Sequence, residues 1–267
     1  MPRATLAGFV QVGHHKPMSL LQNLFTAFKP AIDLIYPPRC PLCGDAIAEQ
    51  KGLCSQCWPK LVIPGEPACA TCYRPFQQDI GNGPAQCAPC MDNLPLHDGI
   101  AAATLYNDAS RKLILAFKHG RRIALAKMLA KQMAGHLPTL EEGWLIIPVP
   151  LHRSRLWYRG FNQSALLARE IAKLTNQTLI VDGLVRTEKT AALGGLGRKA
   201  REQALSGAIA VARNREDQIA NSNIILVDDV LTSGATSDAC VRAMKKAKAK
   251  RVKISCYSRV LDEIVTP

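Results

Sequence analysis

Apolar residues recur at helical spacing through Leu20, Leu24, Phe28, Ile32 and Ile35, which predicts a packing helix that Pro30 interrupts and Tyr36-Pro37-Pro38 ends. No regular period follows until about residue 95. From there the pattern switches repeatedly between strand-like apolar runs and helical spacing. Residues 99–106 read as a strand, 110–120 as a helix stopped by Gly120, and 123–137 as a second helix. Residues 144–150 form a short apolar strand followed by a basic loop, and 161–174 an amphipathic helix. Residues 178–186 read as one strand, and the Gly-rich, charged stretch that follows as a mobile loop. A strand at 224–229, a Gly/Ser/Thr turn, a helix at 235–247 and a strand at 251–260 complete the chain. Strands alternating with helices imply an α/β fold with a mostly parallel sheet covered on both faces.

At 267 residues with 48 % hydrophobic and 21 % charged content, the chain has room for one large domain and one small one. The expected organisation is a leader and helix over 1–36, a cysteine-rich module over 37–95 and the α/β domain over 96–267, with Met18 as a second candidate start. A formal net charge of +13 favours a polyanionic partner, because a positive surface concentrates phosphate-bearing ligands. Six of the nine residues from Lys245 to Lys253 are basic, a candidate backbone-tracking patch that equally suits a solvated helix end. Aromatic residues amount to 5 %, so stacking along a strand is not evident, and Trp58, Trp157 and Tyr158 are expected to pack. No stretch offers 18 uncharged apolar residues, so a cytoplasmic protein without a membrane span is expected.

Eight of the ten cysteines form four C-x-x-C pairs: Cys40/Cys43, Cys54/Cys57, Cys69/Cys72 and Cys87/Cys90. Each pair is a knuckle whose thiolates can face one tetrahedral ion, and two knuckles complete a four-sulfur site at about 2.3 Å per Zn–S bond. Two structural zinc ions are expected, with the knuckles paired in sequence or interleaved. Four thiolates leave no coordination position for a reactive water, which argues against catalytic zinc. Cys240 and Cys256 fall on a predicted helix and strand and read as buried small residues.

The stretch 224–236 carries the most chemistry. An apolar strand runs into Asp228 and Asp229, and a turn of Leu231, Thr232, Ser233, Gly234, Ala235 and Thr236 then opens a helix. Backbone N–H groups converge on an anion at such a turn, and hydroxyls add donors. The two carboxylates stand where they can accept from ribose hydroxyls. The Walker A pattern is missing, so this is not a P-loop. After the strand at 144–150, His152, Arg153, Arg155 and Arg159 offer cationic donors to a diphosphate.

These residues resemble the phosphoribosyl pyrophosphate motif of type I phosphoribosyltransferases. The cysteine pairs, Pro148-Val149-Pro150-Leu151 and Arg159-Gly160-Phe161-Asn162-Gln163 narrow the resemblance to the ComF family, over about residues 36–260. The resemblance implies a type I phosphoribosyltransferase fold behind a small zinc ribbon module, with Asp228 and Asp229 on the ribose and Leu231 to Thr236 around the 5-phosphate. It also implies a pyrophosphate loop at Pro150, Leu151, His152 and Arg153, and a catalytic role for Asp228, Asp229 and Arg201. Arg201 matches the family's closing loop, whereas Leu193 and Ala204 replace its usual Gln and Asn. The implied ligand is phosphoribosyl pyrophosphate with Mg²⁺, in a role tied to DNA uptake and its machinery. Turnover, single-stranded DNA binding without catalysis, and ligand sensing remain as alternative uses.

Overall fold

The computed structural model describes residues 37–49, 52–76, 85–118, 122–187 and 207–261. The expected N-terminal helix, Gly120 and the closing loop with Leu193, Arg201 and Ala204 lie outside the described residues.

Five parallel strands form the central sheet in the order β1-β7-β6-β2-β3: β1 (Ile100–Leu105), β2 (Trp144–Pro148), β3 (Thr178–Leu179), β6 (Asn223–Leu231) and β7 (Arg251–Arg259). Alternation along the strands supplies two separate cores. One face presents Ile147, Ile224, Leu226 and Ile254 to α7 (Ala235–Lys246), whose Val241 and Met244 are buried there. The opposite face presents Ile146, Ile225, Val227 and Tyr257 to α2 (Asp108–Lys118), α3 (Leu125–Gly135) and α5 (Gln163–Thr175). Strands buried on both sides explain why they read as continuous apolar runs.

Three local expectations change. The run 178–186 is two strands, because the chain turns at Val181-Asp182-Gly183: β3 joins the main sheet, while β4 (Leu184–Arg186) pairs antiparallel with β5 (Ile209–Val211), which the one-turn helix α6 (Glu216–Ile219) follows. Gly183 lies so close to Ile147 that a Cβ there would stand 3.2 Å from that side chain. The basic loop after β2 is the helix α4 (Arg153–Arg159). His152 Nδ1 caps its start by accepting from the Ser154 N–H at 3.2 Å, and Gly160, at φ +78°, closes its end. Finally, β6 continues through both aspartates to Leu231, held by β7 after β2 has ended.

The cysteine segment folds as two copies of one turn. Cys40 N–H donates to Asp45 O as Cys69 N–H does to Arg74 O, and Gly44 N–H to Cys40 O as Tyr73 N–H does to Cys69 O. Gly44 and Tyr73 share the left-handed conformation this turn needs. Each copy packs on a different face of the sheet. Leu42, Leu53 and Leu61 join the core under α2 and α3, whereas Cys69, Cys72, Cys87 and Cys90 join the core under α7, the last two on and beside α1 (Ala88–Asp92). Between them, Leu105 N–H donates to Val62 O, so the zinc segment covers the otherwise open edge of β1.

Candidate functional site

The Sγ atoms of Cys40, Cys43, Cys54 and Cys57 lie within 4.8 Å of one another, and those of Cys69, Cys72, Cys87 and Cys90 form an equivalent group. Across the knuckles, Cys43 Sγ stands 3.5 Å from Cys54 Sγ and Cys72 Sγ 3.6 Å from Cys87 Sγ. Zn–S bonds of about 2.3 Å give tetrahedral edges of about 3.8 Å, so both donor sets fit structural zinc. The knuckles pair in sequence, and interleaving is ruled out by the geometry. All four second-site cysteines are buried, whereas Cys43 is exposed. Arg259, at the end of β7, donates through Nη1 to Cys72 O and ties the second site to the sheet. Beside it, burial and then the Arg259 charge push the His97 imidazole down to about 4.

A cleft of about 680 Å³ opens at the carboxyl ends of β2 and β6, the end at which open α/β sheets bind ligands. Its floor is the overhang of β6 beyond β2. Successive strand residues face opposite sides, so Asp228 and Asp229 diverge. Asp229 turns towards α2 and forms an ion pair with Lys118 Nζ at 3.0 Å. Asp228 Oδ1 accepts from Ser164 Oγ at 3.1 Å and from the Asp229 N–H at 2.9 Å. Burial and then the Asp229 charge push the Asp228 carboxyl up to about 7, against the opposing pull of Lys118.

One wall is the turn from Leu231 to Thr236, and all six residues line the cleft. Gly234, at φ +80°, is the residue before α7, and its carbonyl accepts from the Asp238 N–H at 2.7 Å. The opposite wall is built by the segment Arg159-Gly160-Phe161-Asn162-Gln163. Arg159 lines the cleft, and Gly160 ends α4. Phe161 packs on Phe117 with ring centroids 6.2 Å apart. Asn162 caps α5 by accepting from Ser164 N–H and donates through Nδ2 to Val149 O. Gln163 is 2 % exposed and lines the cleft, and its Nε2 has no hydrogen-bond partner among the described residues.

Pro150 and Leu151 line the cleft as well. His152 caps α4 instead, and the exposed Arg153 is outside the lining. Arg155 lines it, as does Arg186 of β4; burial and then the Arg155 charge lower the Arg186 pKa. Lys118, Ser164, Gln163 and Arg186 were not singled out from the sequence. The first and last stand in stretches with no motif, and only Gln163, within the R-G-F-N-Q run, carried a signal.

Cys240 and Cys256 are fully buried, and burial raises both thiols. The Lys245–Lys253 run begins some 16 Å along α7 from the phosphate turn, with Lys245 held by Asp98 at 2.8 Å and Lys253 over the Trp144 ring. Trp157 and Tyr158 do not pack as expected; they are 91 % and 85 % exposed. No helix among the described residues is long and apolar enough to cross a membrane.

Comparison with known proteins places two domain families on this architecture. Residues 31–91 match the double zinc ribbon domain and residues 164–262 the phosphoribosyl transferase domain. Competence protein F of Haemophilus influenzae is 27 % identical over 81 % of this chain and 94 % of its own length. The DNA utilization protein YhgH of Escherichia coli K12 is 26 % identical, covering 83 % of this chain and 90 % of its own. Competence protein ComFC of Bacillus subtilis is 26 % identical, covering 78 % and 83 %. These matches bear out the resemblance drawn from the motifs.

Proposed function

We infer, from a chain of ComF type that joins a double zinc ribbon to a phosphoribosyltransferase domain, that the cleft binds phosphoribosyl pyrophosphate or a related ribose 5-phosphate in the service of DNA uptake or utilisation. The observation that carries this reading is the convergence of three complementary groups on one cleft. The 231–236 turn offers hydroxyls and backbone N–H groups to a 5-phosphate, Asp228 and Asp229 offer acceptors to ribose hydroxyls, and Arg155 and Arg186, both in the cleft lining, offer donors to a diphosphate. Two like charges held together favour an anion between them.

Each part has a definable role. Ser164 holds Asp228 Oδ1, leaving its other oxygen to accept, and ribose binding above pH 7 draws on the ionised form. Lys118 neutralises Asp229, so the pair of acids does not repel the phosphate. The Gln163 amide supplies a buried donor that a bound phosphate or ribose oxygen would satisfy. Mg²⁺ would arrive with the diphosphate. Should a transfer reaction follow, an acceptor nucleophile would bond to C1 as pyrophosphate leaves it, with the arginines stabilising the charge on the departing group; Arg201 is the family's candidate to close over that step.

Calorimetric titration of phosphoribosyl pyrophosphate, with and without Mg²⁺, tests the reading. The parent should bind, the Asp228→Asn/Asp229→Asn variant should lose at least tenfold in affinity, and the Arg155→Ala/Arg186→Ala variant should lose a similar amount for the pyrophosphate ester but less for ribose 5-phosphate. No binding by the parent, or unchanged affinity in the folded aspartate variant, overturns it.

A further inference from the structure

We propose that α4, on the rim of the cleft, is a stacking platform for single-stranded DNA that leads the 5′-phosphorylated end of a strand to the 231–236 turn. The proposal rests on the phosphate-binding reading of that turn. It begins with an oddity of burial: Trp157 and Tyr158 are 91 % and 85 % exposed, on a helix pinned at one end by the His152 cap and at the other by Gly160. Two large side chains held out on a fixed helix gain nothing from burial, and each forgoes the stabilisation a packed aromatic provides.

Helical spacing assigns the residues to two faces. Arg155 and Arg159, four apart, share the face that lines the cleft. Arg153 and Trp157, also four apart, share the outward face, and Tyr158 lies on the flank between them. Guanidinium groups therefore run from the outer surface to the cleft, alongside two flat aromatic rings. The sequence holds no acidic residue between Glu142 and Glu170. Such a surface repels a cationic partner and fits a polyanion whose repeating units also present π-faces, which describes a single nucleic-acid strand and not a duplex with its bases stacked inside. The Lys245–Lys253 run is a poorer candidate, since Lys245 is committed to Asp98 and the run starts at the far end of α7.

The test uses the full-length zinc-loaded protein and a 12-nucleotide oligothymidylate labelled at its 3′ end, followed by fluorescence anisotropy. The parent should bind the single strand, bind it more tightly with a 5′-phosphate than with a 5′-hydroxyl, and prefer it to the matching duplex and to oligouridylate. Trp157→Ala and Tyr158→Ala should each weaken binding by roughly tenfold or more, and Trp157→Phe should restore most of the loss. Arg153→Ala should make the slope of log K against log salt shallower by about 0.7. Trp157→Ala and Tyr158→Ala should not alter phosphoribosyl pyrophosphate binding, because neither residue lines the cleft. Unchanged DNA affinity in Trp157→Ala and Tyr158→Ala overturns the platform while leaving the cleft reading intact. A parent that ignores phosphoribosyl pyrophosphate but loses DNA affinity in Trp157→Ala does the reverse. Preference for the RNA strand, for anionic phosphatidylglycerol vesicles, or a Trp157-dependent change in oligomeric state without DNA binding also overturns the proposal.

Discussion

The segment from Pro37 to Asp92 and the sheet behind it bury different chemistry. In the first, six of the eight paired cysteines are buried, accompanied by few large aliphatics such as Leu61, and the regular structure described amounts to single helical turns and two isolated bridges. In the second, Ile146, Ile147, Ile224, Ile225, Val252 and Ile254 fill both faces of five parallel strands. A short segment without a core depends on metal–thiolate bonds, whereas a two-faced sheet depends on apolar burial. The two are not independent, however. The second cysteine cluster is continuous with the core under α7, while around the first it is Leu42, Leu53 and Leu61, and none of the cysteines, that join the core under α2 and α3. Metal stability is therefore wired into the α/β domain at one site and appended to it at the other.

Removing zinc should have the largest effect, since a structural site contributes about 10 to 16 kcal/mol to folding. A chelator at neutral pH should unfold residues 37–92 as read by hydrogen exchange. Cys87→Ser should also lower the melting temperature of the whole protein, because Cys87 belongs to the shared core. Cys43→Ser, at an exposed ligand, should loosen the first ribbon alone. Equal melting shifts for the two variants would erase the contrast between the sites.

Next in size is Ile254→Ala, in the middle of β7. A fully buried aliphatic lost from a packed sheet costs about 2 to 5 kcal/mol. Urea unfolding should remain one cooperative transition with a lower midpoint, and zinc content should be unchanged. Loss of zinc with this variant would mean that the sheet also holds the ribbons, and the comparison would need redrawing.

Asp228→Asn separates site from scaffold through pH. The folded carboxyl, near 7, stands above the unfolded value of about 3.9. Between those values the unfolded chain binds fewer protons than the native one, so parental stability declines as pH rises and levels off above 7. The variant lacks this slope. Its stability advantage over the parent should grow from pH 5 to pH 7 in urea titrations, while phosphoribosyl pyrophosphate affinity falls. A difference independent of pH would show that Asp228 is not the group that burial raises.

The smallest effect belongs to Lys245→Ala. Its ion pair with Asp98 is partly exposed and should contribute within about 1 kcal/mol, vanishing at high salt. Asp98→Ala should cost more, because Asp98 Oδ2 also accepts from the Val252 N–H at 2.7 Å. Equal costs in urea titrations at low and high salt would remove that distinction.

Helices α2, α3, α5 and α7 were legible because each buries a face of regular period, and strands β1, β2, β6 and β7 because burial on both faces leaves a continuous apolar run; both signals survive in one dimension. What was misread lacked a clear form of either. Helix α4 carries arginines and exposed aromatics where a packing helix carries an apolar stripe, and its two caps supply what packing does not. The run 178–186 reads as one strand because Leu179, Ile180, Val181, Leu184 and Val185 outweigh the single turn signal Asp182-Gly183, and Gly183 lies against Ile147 where a side chain would crowd. Strand β5 is three residues long and exists only because β4 pairs with it.

By itself, the sequence determined the two zinc sites' ligands, the alternating α/β order and the acid-acid-hydroxyl-glycine run of the cleft. All three are local: a knuckle closes over four residues, a period repeats within one element, and a turn after a strand presents its own N–H groups. Tertiary structure decided which knuckles share an ion, which lysine neutralises Asp229 and which arginine joins Arg155 in the cleft. Lys118 and Ser164 come from α2 and α5 and meet Asp229 and Asp228 only because parallel crossovers bring those helices to the same end of the sheet, and Arg186 reaches the same cleft from β4. Partners so far apart in sequence are chosen by how helices pack on a two-faced sheet, a choice that no single stretch of the chain contains.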